Sequence, residues 1–265
     1  MINDNSDASR PAPVGTAASN VADALSALIL DELRPGERLP SEADLALRFA
    51  VSRLTVREAV KMLAGRGMLD LGRGRRAVVR QPDGSAFTDF LTALLRNDPR
   101  GLFDLIELRI GLEVQSATLA ARRCSMAGIV ALEGALQGMR EIHEAERQGL
   151  DLAEAERRFN AYDLGFHEAL AAAGGNRVLS YLFEAMAQPL LHSFHLSRRG
   201  QDVRGHSPAD VIAAHEAVLQ AVREGNPRAA AEAMRAHLEE TEQDIRTALE
   251  ASMPLQRQRG DTGEA

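Results

Sequence analysis

The sequence predicts a mainly α protein in two parts. The first is an N-terminal winged helix-turn-helix of three helices plus a small β-hairpin wing, and the second is an all-α antiparallel helical bundle of six or seven helices. Three observations predict this. Alanine, leucine, arginine and glutamate are abundant, aromatics make up 4% and tryptophan is absent, a composition that favours helix. From about Phe87 to Ser252 the apolar residues recur at helical spacing, with no convincing strand and no internal repeat. Between Arg34 and Arg80, by contrast, glycines punctuate the chain and its charge changes sign.

The elements follow in order. Residues 1–18 lack periodicity and read as a flexible tail. Val21, Leu25, Leu28 and Ile29 share one face of a first helix, Asn20 to Leu33, with Asn20 as its cap and Pro35-Gly36 ending it. Ser41 caps a second helix, and Asp44 three residues on completes a capping box. Leu45, Leu47 and Phe49 lie in or just beyond that helix, and Ala50-Val51 makes the tight turn. Ser52 caps a third helix running to about Arg66, which turns Val56, Val60 and Leu63 to the core and is stopped by Gly65 and Gly67. Met68 to Leu71 and Ala77 to Val79 alternate as two short strands, closed by the basic wing Gly72 to Arg76. These make a domain at 19–80, followed by a turn-rich linker at 81–88, a helical domain at 89–252 and a second flexible tail at 253–265.

Charge divides along the same lines. Residues 19–80 carry eleven basic and eight acidic side chains, within a chain whose net charge is −7. From Leu47 to Arg80 nine basic residues stand against two acidic ones. Such a local reversal of sign is the footprint of a surface made for phosphates, and points to double-stranded DNA. Ser52, Arg53, Thr55 and Arg57 fall in the first turns of the third helix, where a recognition helix meets base edges. The alternative is a solvated helix face; the capped turn and the scarcity of acidic partners favour DNA. The acidic helical half is expected to sense something or to dimerise.

A single cysteine, Cys124, rules out an internal disulfide and suits a reducing cytoplasm. The opening residues lack a basic start followed by an apolar run, so no secretory signal is expected. No stretch approaches the roughly 18 apolar residues of a membrane span.

The helical half holds a candidate metal site. Asp163 and His167 are four residues apart, so both project from one helix face. His215 and His237 lie on helical segments separated by Gly225-Asn226-Pro227, and a hairpin folded there brings them to comparable heights. Three imidazoles and one carboxylate suit Zn²⁺, Ni²⁺ or Mn²⁺. The other reading of each histidine is a polar core or surface residue. His192 and His195 lie near a helix start after Pro189, where either could line a pocket although nothing in the sequence compels it, whereas Arg198-Arg199 reads as a solvated end. His143 and His206 are assigned to the surface, and Asn176 to the cap of a helix.

Residues 34–80 resemble the winged helix-turn-helix of GntR-type bacterial transcription regulators: PGERLPSEADLA, VSRLTVREA and the G-R-G wing match in order. The resemblance implies that Arg53 and Arg57 read guanines or clamp phosphates, that Ser52 and Thr55 bond phosphates, and that Arg73-Gly74 forms the wing tip. Ala43 stands where the family usually has a DNA-touching arginine, which puts that one contact in doubt. ELRIGLE, YDLGFHEALAAAGGN, AHEAVLQAVREGNPRAA and MRAHL resemble the FCD effector domain of the FadR subgroup. That resemblance implies a divalent metal on Asp163, His167, His215 and His237 beneath a pocket for a small organic acid, with Arg109 as its anion-binding residue. A salt bridge from Arg109 to Glu113 at i+4 is an equally weighted reading. The expected protein is a homodimeric, ligand-responsive repressor on a short palindromic operator.

An enzyme is not expected. No carboxylate pair, nucleophile elbow or glycine-rich phosphate loop accompanies the metal ligands, although a metal-dependent hydrolase-like protein and a purely architectural DNA binder stand as alternatives. The family's aminotransferase-like branch needs a Schiff-base lysine. The sole lysine, Lys61, lies in the third helix, so no pyridoxal phosphate is expected.

Overall fold

The computed structural model describes residues 16–72, 75–81, 85–97, 100–123 and 125–252. Arg73, Gly74, Cys124, residues 82–84 of the predicted linker, residues 1–15 of the predicted first tail (1–18) and the second tail (253–265) lie outside the described residues; the end of the first tail is instead the cap and start of a helix. The chain divides into two compact units that meet between Ala86 and Phe87.

In the first unit, α1 (Ala17–Glu32) starts earlier than the sequence pattern suggests. Thr16, not Asn20, is its cap: the Thr16 hydroxyl accepts from the Ser19 amide at 3.2 Å, and the Asn20 amide already donates to the Thr16 carbonyl. α2 (Glu42–Arg48) carries the Ser41/Asp44 capping box, and α3 (Arg53–Gly65) is capped by Ser52. The turn between them places Ala50 at φ 52°, a left-handed conformation that a β-carbon disfavours. Leu45 is buried, whereas Leu47 is exposed and Phe49 forms the C-cap of α2. β1 (Leu69–Asp70) pairs antiparallel with β2 (Val78–Val79). Arg38 bridges Val78 on the other edge, and Leu39 donates to the Ala77 carbonyl, so residues 36–39 brace the wing. Leu25, Leu28, Leu45, Val56, Leu63 and Val79 join in one core under the helices.

The second unit has seven helices among the described residues: α4 (Ser85–Asn97), α5 (Gly101–Arg123), α6 (Met126–Arg147), α7 (Leu152–Ala173), α8 (Arg177–Arg204), α9 (Pro208–Arg223) and α10 (Pro227–Ser252). α4 therefore begins inside the segment assigned to the linker, because Phe87 and Leu91 pack against the core. Asn176 caps α8 as expected, its side-chain oxygen accepting from Val178 at 3.1 Å. Pro189 lies within α8 rather than before a helix, so the predicted helix start there is wrong. Packing from both sides outweighs the lost amide: Met186, Pro189 and Leu190 are all buried. Gly225 at φ 62° and Asn226, which caps α10 through Ala229, make the predicted break between α9 and α10.

α10 packs along α5, α8 and α9, and it lies closest to α8 at Gly200. A β-carbon on Gly200 would fall 1.8 Å from the Asp244 carbonyl oxygen, so the two helices meet only because this residue lacks one. Gly200→Ala should cost roughly 1–3 kcal/mol in urea unfolding of the full chain. Gly134→Ala, on α6 with nothing within 4 Å of the added carbon, should instead gain up to about 1 kcal/mol.

Candidate metal centre and nucleic-acid interface

Three helices bring four buried polar residues to one point. α7 contributes Asp163 and His167, α9 His215 and α10 His237, and one donor atom from each lies within 4.8 Å of the others. All four side chains are buried. Phe166, between the two α7 ligands in sequence, sets its ring edge-on to His215 with centroids 4.5 Å apart. His237 packs at 4.5 Å from the His215 ring and 5.4 Å from that of His167.

Hydrogen bonding fixes where the lone pairs point. A carbonyl only accepts, so His215 Nδ1 donates to Val211 O at 2.8 Å and its Nε2 carries the lone pair. Nδ1 of His167 faces the Glu113 carboxylate, which leaves Nε2 facing inward. That Nε2 stands 3.3 Å from His215 Nε2 and 3.3 Å from Asp163 Oδ1, and Asp163 Oδ1 stands 3.0 Å from His215 Nε2. No hydrogen bond of good geometry reaches Asp163 Oδ1. Electron-rich atoms converging away from water need a positive charge among them. An ion bound at about 2.0–2.2 Å keeps neighbouring donors roughly 3 Å apart, which these separations match. Three imidazole nitrogens with one carboxylate oxygen are the donors that borderline divalent ions take. The residues fit a metal.

The remaining charges support the cluster. Arg109, on α5, is fully buried; its Nε donates to Glu113 Oε1 at 2.6 Å and its Nη2 lies 3.4 Å from His167 Nε2. The sequence offered this pair as a surface salt bridge; the i+4 pairing forms, but inside the bundle. Burial pushes the Glu113 carboxyl up, yet Arg109 and His167 together hold it at about 2. Burial likewise opposes charge on His167, but Glu113 and Asp163 raise it to about 9, so with no metal bound a proton supplies the missing charge. Burial pushes Asp163 up, and the imidazoles of His215 and His167 more than reverse that, holding it well below the carboxylate range. His237, with burial and neighbouring positive charge acting together, is held neutral well below the usual range. Glu113 is the functional residue the sequence named only as a partner for Arg109; its i+4 spacing could not tell an inward face from an outward one.

Beside the cluster lies a cavity of about 30 Å³, lined by Asp163, His237, Phe194, Ser197, Gln201 and Thr241 among others. A second, of about 50 Å³, shares Gln201, His237 and Thr241 and runs toward His206 and Asp244. His192 and His195 line neither; His195 is exposed and bonds Glu156 at 2.6 Å, while His192 borders a separate 550 Å³ hollow with Gln188 and Leu102. Arg198, expected at a solvated end, instead donates to Glu146 at 2.7 Å and lines the smaller cavity. His143 and His206, expected at the surface, are half-buried.

On the first unit, Arg53, Arg57, Lys61, Arg75 and Arg76 line an open groove of about 650 Å³ together with Ala43. Ser52 and Thr55 hold the start of α3, their hydroxyls 2.8 Å apart. The expected lack of acidic partners does not hold: Arg57 Nη2 bonds Glu42 Oε2 at 2.8 Å, and Lys61 bonds Glu58 at 3.0 Å. Glu42 lies on α2, outside the stretch whose charge was counted. Its bond from Arg57 holds the Glu42 carboxyl below its usual range. Exposed pairs of this kind contribute little to stability. Arg53, Arg75 and Arg76 form no ion pair among the described residues. The predicted wing tip, Arg73-Gly74, lies outside the described residues.

Comparison with known proteins agrees with both halves. Residues 17–79 match the family described as bacterial regulatory proteins, gntR family, and residues 104–240 match the FCD domain. The Glc operon transcriptional activator of Escherichia coli K12 is 28% identical over 85% of this chain and 87% of its own length. The HTH-type transcriptional regulator LutR of Bacillus subtilis is 32% identical over 80% of this chain and 92% of its own. The solved structure of Streptococcus agalactiae GntR superposes with a TM-score of 0.65 at 30% identity, covering 84% of this chain and 97% of that one.

Removing Glu113 would leave the Arg109 guanidinium buried and unpaired. Glu113→Ala should therefore destabilise the chain by about 3–5 kcal/mol in chemical unfolding; a loss below about 1 kcal/mol would mean that water reaches the pair.

Proposed function

The chain belongs to the GntR family of bacterial regulatory proteins and carries an FCD domain, and from that premise we propose that it is a homodimeric, metal-containing repressor released by a small organic acid. DNA binding and transcription regulation come with the family. The finer reading rests on one observation: the inward convergence of Asp163, His167, His215 and His237 with too little positive charge to satisfy them. A divalent ion there supplies that charge and a centre that attracts an anionic ligand. Val211 O orients His215 and fixes its tautomer, and the contact of His167 Nδ1 with the Glu113 carboxylate turns its Nε2 inward. Arg109 Nη1 is buried without a hydrogen-bond partner, and supports the assignment of Arg109 as the residue that meets an incoming carboxylate. Ser197, Gln201 and Thr241 in the adjoining cavity offer further hydrogen bonds. That cavity is small, so the ligand is either short or enters with an outward shift of α8.

Ser52, Arg53, Thr55 and Arg57, with the wing residues Arg73 and Gly74, are proposed to engage the operator. In a two-fold dimer two such surfaces meet a short palindrome. The Glc operon relative is named an activator, so a reporter assay with and without ligand tests the proposed sign directly. The relatives are named as transcription regulators rather than enzymes, and we assign no reaction.

Arg57→Ala should weaken binding to the cognate operator by about 1–3 kcal/mol, roughly five- to 150-fold, with little change on random duplex. Fluorescence anisotropy on both duplexes checks this, and an unaltered ratio would remove Arg57 from base readout. His215→Ala should abolish stoichiometric metal in elemental analysis of the purified protein and lower its melting temperature toward that of chelator-treated wild type. Full occupancy in that variant would strike His215 from the ligand set.

A further inference from the structure

Pro189 lies well inside α8 and has no N–H, so the Ala185 carbonyl, four residues earlier, lacks its intrahelical donor. Ala185 is buried, where a carbonyl without a partner is costly. The donor comes from another helix: Thr88 Oγ1, on α4, donates to Ala185 O at 2.8 Å. α4 opens the second unit, and only a few residues separate it from Arg80 at the end of the wing.

α8 also clasps the metal cluster on both sides of this point. The Phe183 ring stacks 5.9 Å from that of His167, and the Phe194 ring lies 6.2 Å from it. The Arg109 guanidinium sits 5.3 Å from Phe194. Ser197 and Gln201, further along α8, line the cavity beside the ligands. Pro189 therefore divides two arms of one helix that both rest on the same imidazole. A helix missing a backbone bond yields most easily there. A shift of His167 alters the relation of the two arms, and the Ala185 carbonyl between them moves with it.

We propose that Thr88 is a positioning residue, the latch through which occupancy of the Asp163/His167/His215/His237 cluster reaches α4 and the chain that leads to it from the DNA-binding module. Apolar packing of Phe87 and Leu91 on Met186 and Leu190 holds α4 against α8, but packing tolerates sliding; the directional bond from Thr88 to Ala185 O sets the register. The signal arises only if the ligand favours one arrangement of α8 over the other. This proposal rests on the metal reading above.

Hydrogen–deuterium exchange of the full chain tests it, with Zn²⁺ alone as the probe and calorimetry reporting zinc affinity in parallel. In wild type, zinc should change exchange across α4 several-fold. Thr88→Val, similar in shape but without the donor, should bind zinc as wild type does while α4 no longer responds. Thr88→Ser should restore the response. In a Pro189→Ala background, where residue 189 can donate to Ala185 O, Thr88→Val should not alter basal α4 exchange. Zinc binding with no α4 response in wild type, an undiminished response in Thr88→Val, or failure of Thr88→Ser to restore it would each overturn the latch. Absence of zinc binding to wild type would instead overturn the metal reading on which the latch stands.

Discussion

The charge balance around His167 constrains the whole helical unit. Arg109, Glu113, Asp163 and His167 are all buried, and each is tolerable only while the others hold their places. Because they come from α5 and α7, and their neighbours His215 and His237 from α9 and α10, four helices are tied to one another by groups that cannot be left unpaired. Buried ionic networks of this sort contribute little net stability against an apolar core of equal volume. Their value here is positional: they demand one arrangement, and they leave a single positive charge to be filled by a proton or a metal ion. That makes the bundle sensitive to what occupies its centre.

The face of α8 that meets this network is unusually polar for a buried helix. Ser193, Ser197 and Gln201 are all inside, and Gly200 lets α10 approach until backbone meets backbone. Asp244, on α10, is buried there; burial raises its carboxyl above the usual range, partly opposed by Arg204, which bonds it at 2.6 Å. Ser197 also donates to Asp244 at 3.3 Å. Polar contacts thus set how α8 and α10 meet, while the apolar cluster of Phe183, Met186 and Leu190 sets how α8 meets α4. One helix touches both the candidate ligand site and the element nearest the linker.

The first unit follows a different electrostatic logic. The arginines that line its groove are exposed, and the pairs that Arg57, Arg48 and Arg66 make with Glu42, Glu32 and Asp23 lie in water. Such pairs are weak and screened by salt. They orient side chains without holding them, which suits a surface whose other partner is a polyanion. Glu42 orients Arg57 beside the groove by such an exposed pair.

Much of this was legible in the chain itself. The capping box at Ser41 and Asp44, the Ser52 cap and the break at Gly225-Asn226-Pro227 are local signals, decided within a few residues by backbone hydrogen bonds. The spacing of Asp163 and His167 put both on one face for the same reason. Other features were decided by distant packing. Pro189 reads as a helix boundary locally, yet α8 runs through it because both sides are buried and Thr88 supplies the missing donor. Asn20 also reads as a cap, but there the winning signal is itself local: the helix starts at Ala17 because the Thr16 side chain accepts from the Ser19 amide three residues on. The Arg109–Glu113 spacing fixed that the two side chains meet; only the tertiary structure placed them away from water, beside an imidazole, and so turned an ordinary surface pair into part of a site. Sequence determines which groups share a helix face, since that depends on backbone geometry alone. Which faces turn inward and meet depends on the packing of helices far apart in the chain, and that carries no local signature.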